Sequence, residues 1–155
     1  MDIQIVNLAD RMEYLEQVSE WFWHEWGKYQ TKENMKYTTI HTTQQDRVPL
    51  TYIALSGDRL VGTIALWTND LRCRQDLSPW MTNLFVKNDM KAQGIDMLLQ
   101  KRIIEAAQAL GLKKLYLIST HDNEYYENTG WTFMEEAPMV MGDMTKIYYK
   151  DLNAN

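Results

Sequence analysis

Residues 80–133 constrain this chain more than any other stretch. WMTNLFV (80–86) is an apolar run of strand length. Asn88 to Lys91 breaks it, and a helical pattern follows to Leu110. Ile95, Leu98, Leu99, Ile103, Ala106 and Leu110 fall at helical spacing and define one apolar face. Gly111 stands where a helix C-terminal cap belongs. KLYLIS (114–119) is a strand, residues 122–129 read as a short helix stopped by Gly130, and strands follow near 131–137 and 144–150. A strand, a tight turn, a helix, a strand, a short helix and a strand in succession predict a mixed α/β architecture around a central sheet.

The amino-terminal half agrees with that class. Ile3 and Ile5 alternate with polar residues in a short first strand. Met12, Leu15, Val18, Phe22 and Trp26 then share a helix face, with Asp10 placed as its N-cap. A poorer helix is expected within the Thr-rich residues 31–46. PLTYIAL (49–55), the Ser56-Gly57-Asp58-Arg59 turn and LVGTIALW (60–67) read as an antiparallel hairpin, and residues 68–79 as a loop. The predicted order is β-α-α-β-β-β-α-β-α-β-β, with six to seven strands and about four helices.

Composition narrows the function classes. A length of 155 residues favours one domain spanning 1–155. Sixteen Lys and Arg against twenty-one Asp and Glu give a net charge of −5, which argues against a nucleic-acid partner held by overall charge. The single cysteine, Cys73, excludes an intrachain disulfide and a cysteine-rich zinc site, and no metal is expected. Cys73 is read as a buried or idle thiol rather than a nucleophile. The opening MDIQIVNLADRM has no secretory pattern, and no apolar run reaches the roughly 20 residues of a membrane helix. The expectation is a cytoplasmic, soluble protein with no membrane partner.

The turn Lys91-Ala92-Gln93-Gly94-Ile95-Asp96 follows a strand and opens a helix. Unpaired backbone N–H groups and the helix dipole make such a junction an anion site for a phosphate or pyrophosphate. An ordinary strand-to-helix turn has the same look, so the turn alone does not decide the matter.

Three segments together resemble the GNAT superfamily of acyl-CoA-dependent N-acetyltransferases. They are PWMTNLFV (79–86) leading into KAQGID, the helix ending in ALGLKKLYL (109–117), and NEYYENTGWTF (123–133). They cover about a third of the chain. The resemblance implies a splayed central sheet and acetyl-CoA as co-substrate. It implies that the backbone of Leu84, Phe85 and Val86 pairs with the pantetheine arm. It further implies that Lys91, Ala92, Gln93, Gly94, Ile95 and Asp96 cradle the pyrophosphate, and that Asn123 contacts the cofactor arm. Tyr126 matches the tyrosine that protonates the departing thiolate. The expected reaction is direct attack of a primary amine, on a small molecule or a peptide, on the thioester in a ternary complex.

Two positions depart from the family pattern. Lys91 stands where Arg or Gln is usual, and Asp96 places a carboxylate where Gly or Ala is usual. That carboxylate either opposes a pyrophosphate or simply complements the helix N-terminus. A catalytically impaired acyl-CoA-binding or interaction module is therefore the alternative reading. The strand 80–86 offers no carboxylate, so the general base is open among His121, Glu25, His24, Asp70, Asp76 and a water chain. Trp23, His24, Glu25 and Trp26 form a candidate acceptor wall, since tryptophan faces favour cations. Packing of the first helix explains Phe22 and Trp26 equally well. A monomer and a homodimer paired through the final strands both remain open.

Overall fold

Residues 50–55 and 60–66 are buried one after another rather than in alternation, because strands covered on both faces need no polar side. The computed structural model describes residues 2–120 and 124–152. In chain order the strands are β1 (Ile3–Asn7), β2 (Leu50–Ser56), β3 (Arg59–Trp67), β4 (Trp80–Val86), β5 (Lys114–Ser119), β6 (Thr132–Pro138) and β7 (Met144–Asp151). The helices are α1 (Leu15–Trp26), α2 (Lys32–His41), α3 (Ile95–Ala109) and α4 (Glu124–Asn128), with 3₁₀ turns at Leu8–Asp10, Met12–Tyr14 and Asn88–Met90. The strands form one seven-stranded sheet in the order β1-β2-β3-β4-β5-β7-β6. This is the mixed α/β class and element order that the sequence predicts. No helix among the described residues is long and apolar enough to cross a membrane.

The chain divides into two compact units, Met1–Ala65 with Asn83–Ile103, and Leu66–Thr82 with Ile104–Asn155. In the first, β1 and β2 pair antiparallel from Ile3 opposite Ser56 to Asn7 opposite Tyr52. Gly57, at φ +61°, and Asp58 link β2 to its neighbour β3. So short a link forces an antiparallel pair. Leu8, Tyr14, Val18, Phe22, Met35, Ile53, Leu55 and Leu60 form its core.

The entry to α1 differs from the sequence reading. Asp10 is not the helix N-cap. Asn7 caps the first 3₁₀ turn, its Oδ1 accepting from the Ala9 N–H at 2.8 Å, and α1 begins later, at Leu15. The 3₁₀ turn at Met12–Tyr14 advances about 120° per residue instead of 100°. That shift of phase brings Tyr14 into the core and leaves Met12 exposed. Trp26, at the last position of α1, is also exposed rather than on the core face. On α3 the buried stripe is Ile95, Leu99, Ile103, Ala106 and Ala107, and Leu98, a quarter turn away from Leu99, is exposed.

In the second unit β5 pairs antiparallel with β7, and β7 with β6, the latter with a register shift between Phe133 and Glu135. β4 and β5 pair in parallel, with Trp80 opposite Tyr116. Leu71, Leu77, Trp80, Ala137 and Ile147 form a second core. Gly111, at φ +78°, ends α3 as predicted, with the Leu112 N–H donating back to the Ala107 carbonyl at 3.0 Å. Cys73 is exposed rather than buried, its thiol 3.4 Å from the Pro138 carbonyl.

Gly62 of β3 is required by packing. A Cβ there would stand 3.0 Å from Leu99 Cδ1 and 3.1 Å from the Phe85 carbonyl oxygen, a backbone atom of β4. Gly62→Ala is expected to destabilise the fold by about 1–3 kcal/mol, the usual cost of overpacking, read as a lower midpoint in thermal or urea unfolding.

Candidate active site

The second half of β4 departs from a regular strand. Asn83 has φ +54°, a left-handed conformation that asparagine tolerates better than most residues. Its carbonyl accepts a hydrogen bond from the buried Thr63 hydroxyl of β3 at 2.9 Å. The Lys87 N–H then donates to the Val61 carbonyl at 2.9 Å and returns the chain to β3. Between these two anchors Leu84 and Phe85 are only half-buried, while Val86 is buried. The Phe85 ring meets the edge of Trp21 from α1 at 5.3 Å, and Lys87 Nζ lies 5.5 Å from the Trp21 ring.

The turn into α3 is anchored at both ends. Met90 and Ile95 are buried, and Lys91, Ala92, Gln93 and Gly94 between them are exposed. Ala92 and Gly94 have φ +65° and +79°. Left-handed residues in such a turn swing successive N–H groups toward one side, the geometry of an anion nest. The Gly94 carbonyl accepts the first helical bond, from the Leu98 N–H at 3.1 Å. Asp89, just before the turn, is matched by Arg59 at 2.7 Å, which holds its carboxyl below the usual range. Lys91 supplies a cation on the exposed side, and Asp96 is half-buried in the first turn of the helix. Leu84, Phe85, Val86 and the whole 91–96 turn therefore belong to one unit.

The aromatic cluster of α1 splits by role. Trp23 Nε1 donates to the Gln30 carbonyl at 2.9 Å, and Lys32 Nζ lies 4.9 Å from its ring. Gly27 sits against it, since a Cβ there would lie 2.5 Å from Trp23 Cδ1. Trp23 thus builds the corner between α1 and α2. His24, Glu25 and Trp26 are exposed, and Trp26 meets Phe22 edge-on at 5.9 Å. Trp21, which belongs to the same aromatic cluster in the sequence but lies outside the acceptor wall expected there, meets Phe85 of β4. Its spacing of three from Val18, beside Phe22, is the signal that places it on the inward side.

In the other unit Tyr126 is half-buried on α4. Its ring packs near Tyr125, Tyr148 and Trp131, with centroids at 5.0, 6.1 and 6.4 Å. Its carbonyl accepts from the N–H groups of Thr129 and Trp131 at 3.1 and 3.0 Å. Lys150 Nζ closes the same turn by donating to the Thr129 carbonyl at 3.2 Å, and its partial burial pushes the ammonium pKa down.

Of the candidate bases, His121 lies outside the described residues, as does Asn123. Glu25 is exposed on α1. Asp76 is exposed and paired with Arg74 at 2.9 Å, which holds its carboxyl below the ordinary range. Asp70 behaves in the opposite way. It is half-buried, shares a hydrogen bond with the Thr82 side chain of β4, and is pushed up to about 6 by burial, against the opposing effect of that hydrogen bond. No group of three or more metal-ligating side chains occurs among the described residues.

With this geometry in place, the comparisons agree on a class. The model of the acetyltransferase (GNAT) family matches residues 15–131, and the chain belongs to that family. No curated protein matches the chain. An aminoglycoside 6′-N-acetyltransferase solved with coenzyme A superimposes with a TM-score of 0.76 at 15% identity, over 100% of this chain and 99% of that one. The aminoglycoside 6′-N-acetyltransferase of Enterococcus faecium gives 0.72 at 15% identity, over 100% and 99%. A GNAT-family acetyltransferase of Streptococcus pneumoniae gives 0.71 at 18% identity, over 98% and 100%. At these identities the likeness is one of fold.

The left-handed Ala92 is a local strain in the turn. A non-glycine residue there costs about 1–2 kcal/mol, and glycine's added chain entropy returns about 0.4–1 kcal/mol of that. Ala92→Gly is accordingly expected to raise stability by about 0.5–1 kcal/mol, read as a higher unfolding midpoint.

Proposed function

We propose that this chain is an N-acetyltransferase. In this reading it moves the acetyl group of acetyl-CoA to a primary amine of a small molecule or peptide, by direct attack in a ternary complex, with residues 1–155 acting as one catalytic domain. The observation that carries the reading is the 91–96 turn. It leads from the 3₁₀ turn that follows β4 into α3, with two left-handed residues and an exposed lysine. Membership of the acetyltransferase family supports it. So does the fold likeness to an enzyme solved with coenzyme A.

The roles follow from the chemistry. N–H groups of the 91–96 turn and the dipole of α3 would hold the pyrophosphate. Lys91 would add a point charge, without the two-pronged geometry of an arginine. Backbone groups of Leu84, Phe85 and Val86 would pair with the pantetheine arm as an added strand does, and one of their N–H groups would stabilise the oxyanion. The Tyr126 hydroxyl would protonate the departing thiolate. Exposed His24, Glu25 and Trp26 on α1, together with Trp21 against Phe85, are the acceptor-side candidates. The aminoglycoside acetyltransferases of like fold favour a small cationic acceptor.

Asp96 supports a second reading, an acyl-CoA-binding module with impaired catalysis. A carboxylate 4 Å from one phosphate charge costs about 4 kcal/mol at an effective dielectric of 20. Calorimetric titration with acetyl-CoA separates the two. The enzyme reading expects wild-type binding in the micromolar range, about −8 kcal/mol, and thiol release with a panel of primary amines. Binding without turnover on any amine of the panel would establish the second reading. Absence of binding would leave an interaction domain that has lost the cofactor.

Asp96→Gly is expected to bind acetyl-CoA about tenfold tighter, a gain of about 1.4 kcal/mol. Equal or weaker binding in the same calorimetry would remove Asp96 as an opposing charge. Tyr126→Phe is expected to lower turnover about tenfold or more while leaving acetyl-CoA affinity within a factor of about two. Unchanged turnover would take Tyr126 out of the mechanism.

A further inference from the structure

The α1–α2 pair carries a groove that neither the core nor the 91–96 turn uses. Its volume is about 580 Å³, the size of a small-molecule site, and every residue lining it belongs to the first unit. Two ion pairs cross it. Lys36 pairs with Glu16, and Lys32 pairs with Glu20 at 3.2 Å. The rungs stand one helical turn apart on each helix. Their side chains are well exposed to solvent, and ion pairs of that kind add little to stability. Each lysine nitrogen also fills only part of a carboxylate that can accept about four hydrogen bonds.

A third carboxylate, Glu33 of α2, lines the same groove and has no ion pair among the described residues. Three carboxylates face two ammonium groups, so the groove carries an unbalanced negative charge. Tyr37 and Ile40 complete the α2 wall with exposed apolar surface.

Below the rungs lies an unmet polar group. Ser19 is 5% exposed and is the one buried residue among those lining the groove. A serine or threonine inside a helix can return its hydroxyl to the carbonyl one turn back, as Thr39 does to Met35 at 2.8 Å. Ser19 Oγ makes no such bond and has no hydrogen-bond partner among the described residues. An alanine would suit the helix better and would desolvate no hydroxyl. Packing therefore gives no reason for the hydroxyl, and a ligand in the groove does.

We propose that the α1–α2 groove binds a short alkyl diamine. Glu16 and Glu20 are about 6 Å apart along the helix axis, the reach of a chain such as 1,4-diaminobutane between its ammonium groups. One ammonium balances Glu33, and the other takes a place beside Glu16 or Glu20. Ser19 Oγ accepts a hydrogen bond from an ammonium so held. The methylenes lie on Ile40 and Tyr37, and the tyrosine ring face also favours a cation. A lysine that gives up its place turns fully to solvent without loss, because it is already largely exposed. None of these residues belongs to the 84–96 segment, so the site stands apart from the acetyltransferase reading.

The test is a calorimetric titration of the full chain with 1,4-diaminobutane, in the absence of acetyl-CoA. Saturable binding at one site is expected, with a Kd of about 1 mM or tighter, weakening as salt is raised. 1,4-Butanediol, the uncharged analogue, is expected not to bind. Glu33→Gln is expected to weaken diamine binding about tenfold. Ser19→Ala is expected to weaken it about threefold while melting at or above the wild-type temperature, so that lost binding is not lost folding. Asp2→Asn removes the same charge from an exposed residue that does not line the groove, and is expected to bind as wild type does. A wild type with no saturable diamine binding overturns the proposal. Equal binding of the diol overturns it too, since that marks a groove for alkyl chains alone. Wild-type affinity in both Glu33→Gln and Ser19→Ala, or an equal loss in Asp2→Asn, also overturns it. Failure of the separate acetyl-CoA titration touches the acetyltransferase reading and leaves the diamine result to decide this site.

Discussion

The hydrogen bond from the Thr63 hydroxyl to the Asn83 carbonyl is the constraint on which the first unit depends. A regular strand would spend all its backbone groups on its neighbours. Thr63, fully buried on β3, satisfies the Asn83 carbonyl with a side chain instead, and Asn83 can then take a left-handed turn inside the strand. A buried carbonyl without such a partner would cost about 1–3 kcal/mol. The departure at Asn83 and the return at Lys87 N–H to Val61 define the segment whose Leu84 and Phe85 are only half-buried. The close fit around Gly62 holds that segment in place from the opposite strand, because the Phe85 carbonyl lies where a side chain of β3 would otherwise stand.

Much of this was legible in the sequence, for physical reasons that can be named. β4 and β5 span the residues read as strands from the sequence, because both segments are rich in the aromatic and branched apolar residues that suit a pleated, partly buried surface. The end of α3 is fixed by Gly111, whose left-handed conformation few other residues adopt at low cost. The turn at residues 91–96 is legible because a glycine and a lysine follow a strand and precede a periodic helix. The entry to α1 was not legible. Met12 and Val18 fit one helical period only if the helix is continuous, and two short 3₁₀ turns intervene. No residue in that segment advertises the tighter winding, since Arg11, Met12 and Glu13 are all ordinary helix formers.

The candidate site was legible to different depths in its different parts. The backbone portion, Leu84 to Val86 and the turn, follows from pattern because backbone groups come with the element. Side-chain roles depend on tertiary neighbours. Trp23 and Trp21 look equivalent in the sequence, yet one is tied to Gln30 and Lys32 and the other meets Phe85. Asp70 and Asp76 likewise stand six residues apart in one polar loop. Burial sends the Asp70 carboxyl group up against the opposing pull of Thr82, while an arginine neighbour sends that of Asp76 down. No periodicity encodes that difference, because it arises from what lies against each group in the folded loop.

The corner built by Trp23, Gly27, Gln30 and Lys32 has an evolutionary consequence. It fixes the path from α1 to α2 with contacts that make no use of Glu25 or Tyr37, both of them exposed. Substitution at such exposed positions usually changes stability by less than about 0.5 kcal/mol. Selection can therefore rewrite the outer surface of this helical pair almost independently of the fold beneath it. Chains with 15% identity can then still superimpose with a TM-score of 0.76. The rigid corner is what lets the surface drift, so descendants of one ancestor can diverge here in whatever they meet without having to refound the scaffold.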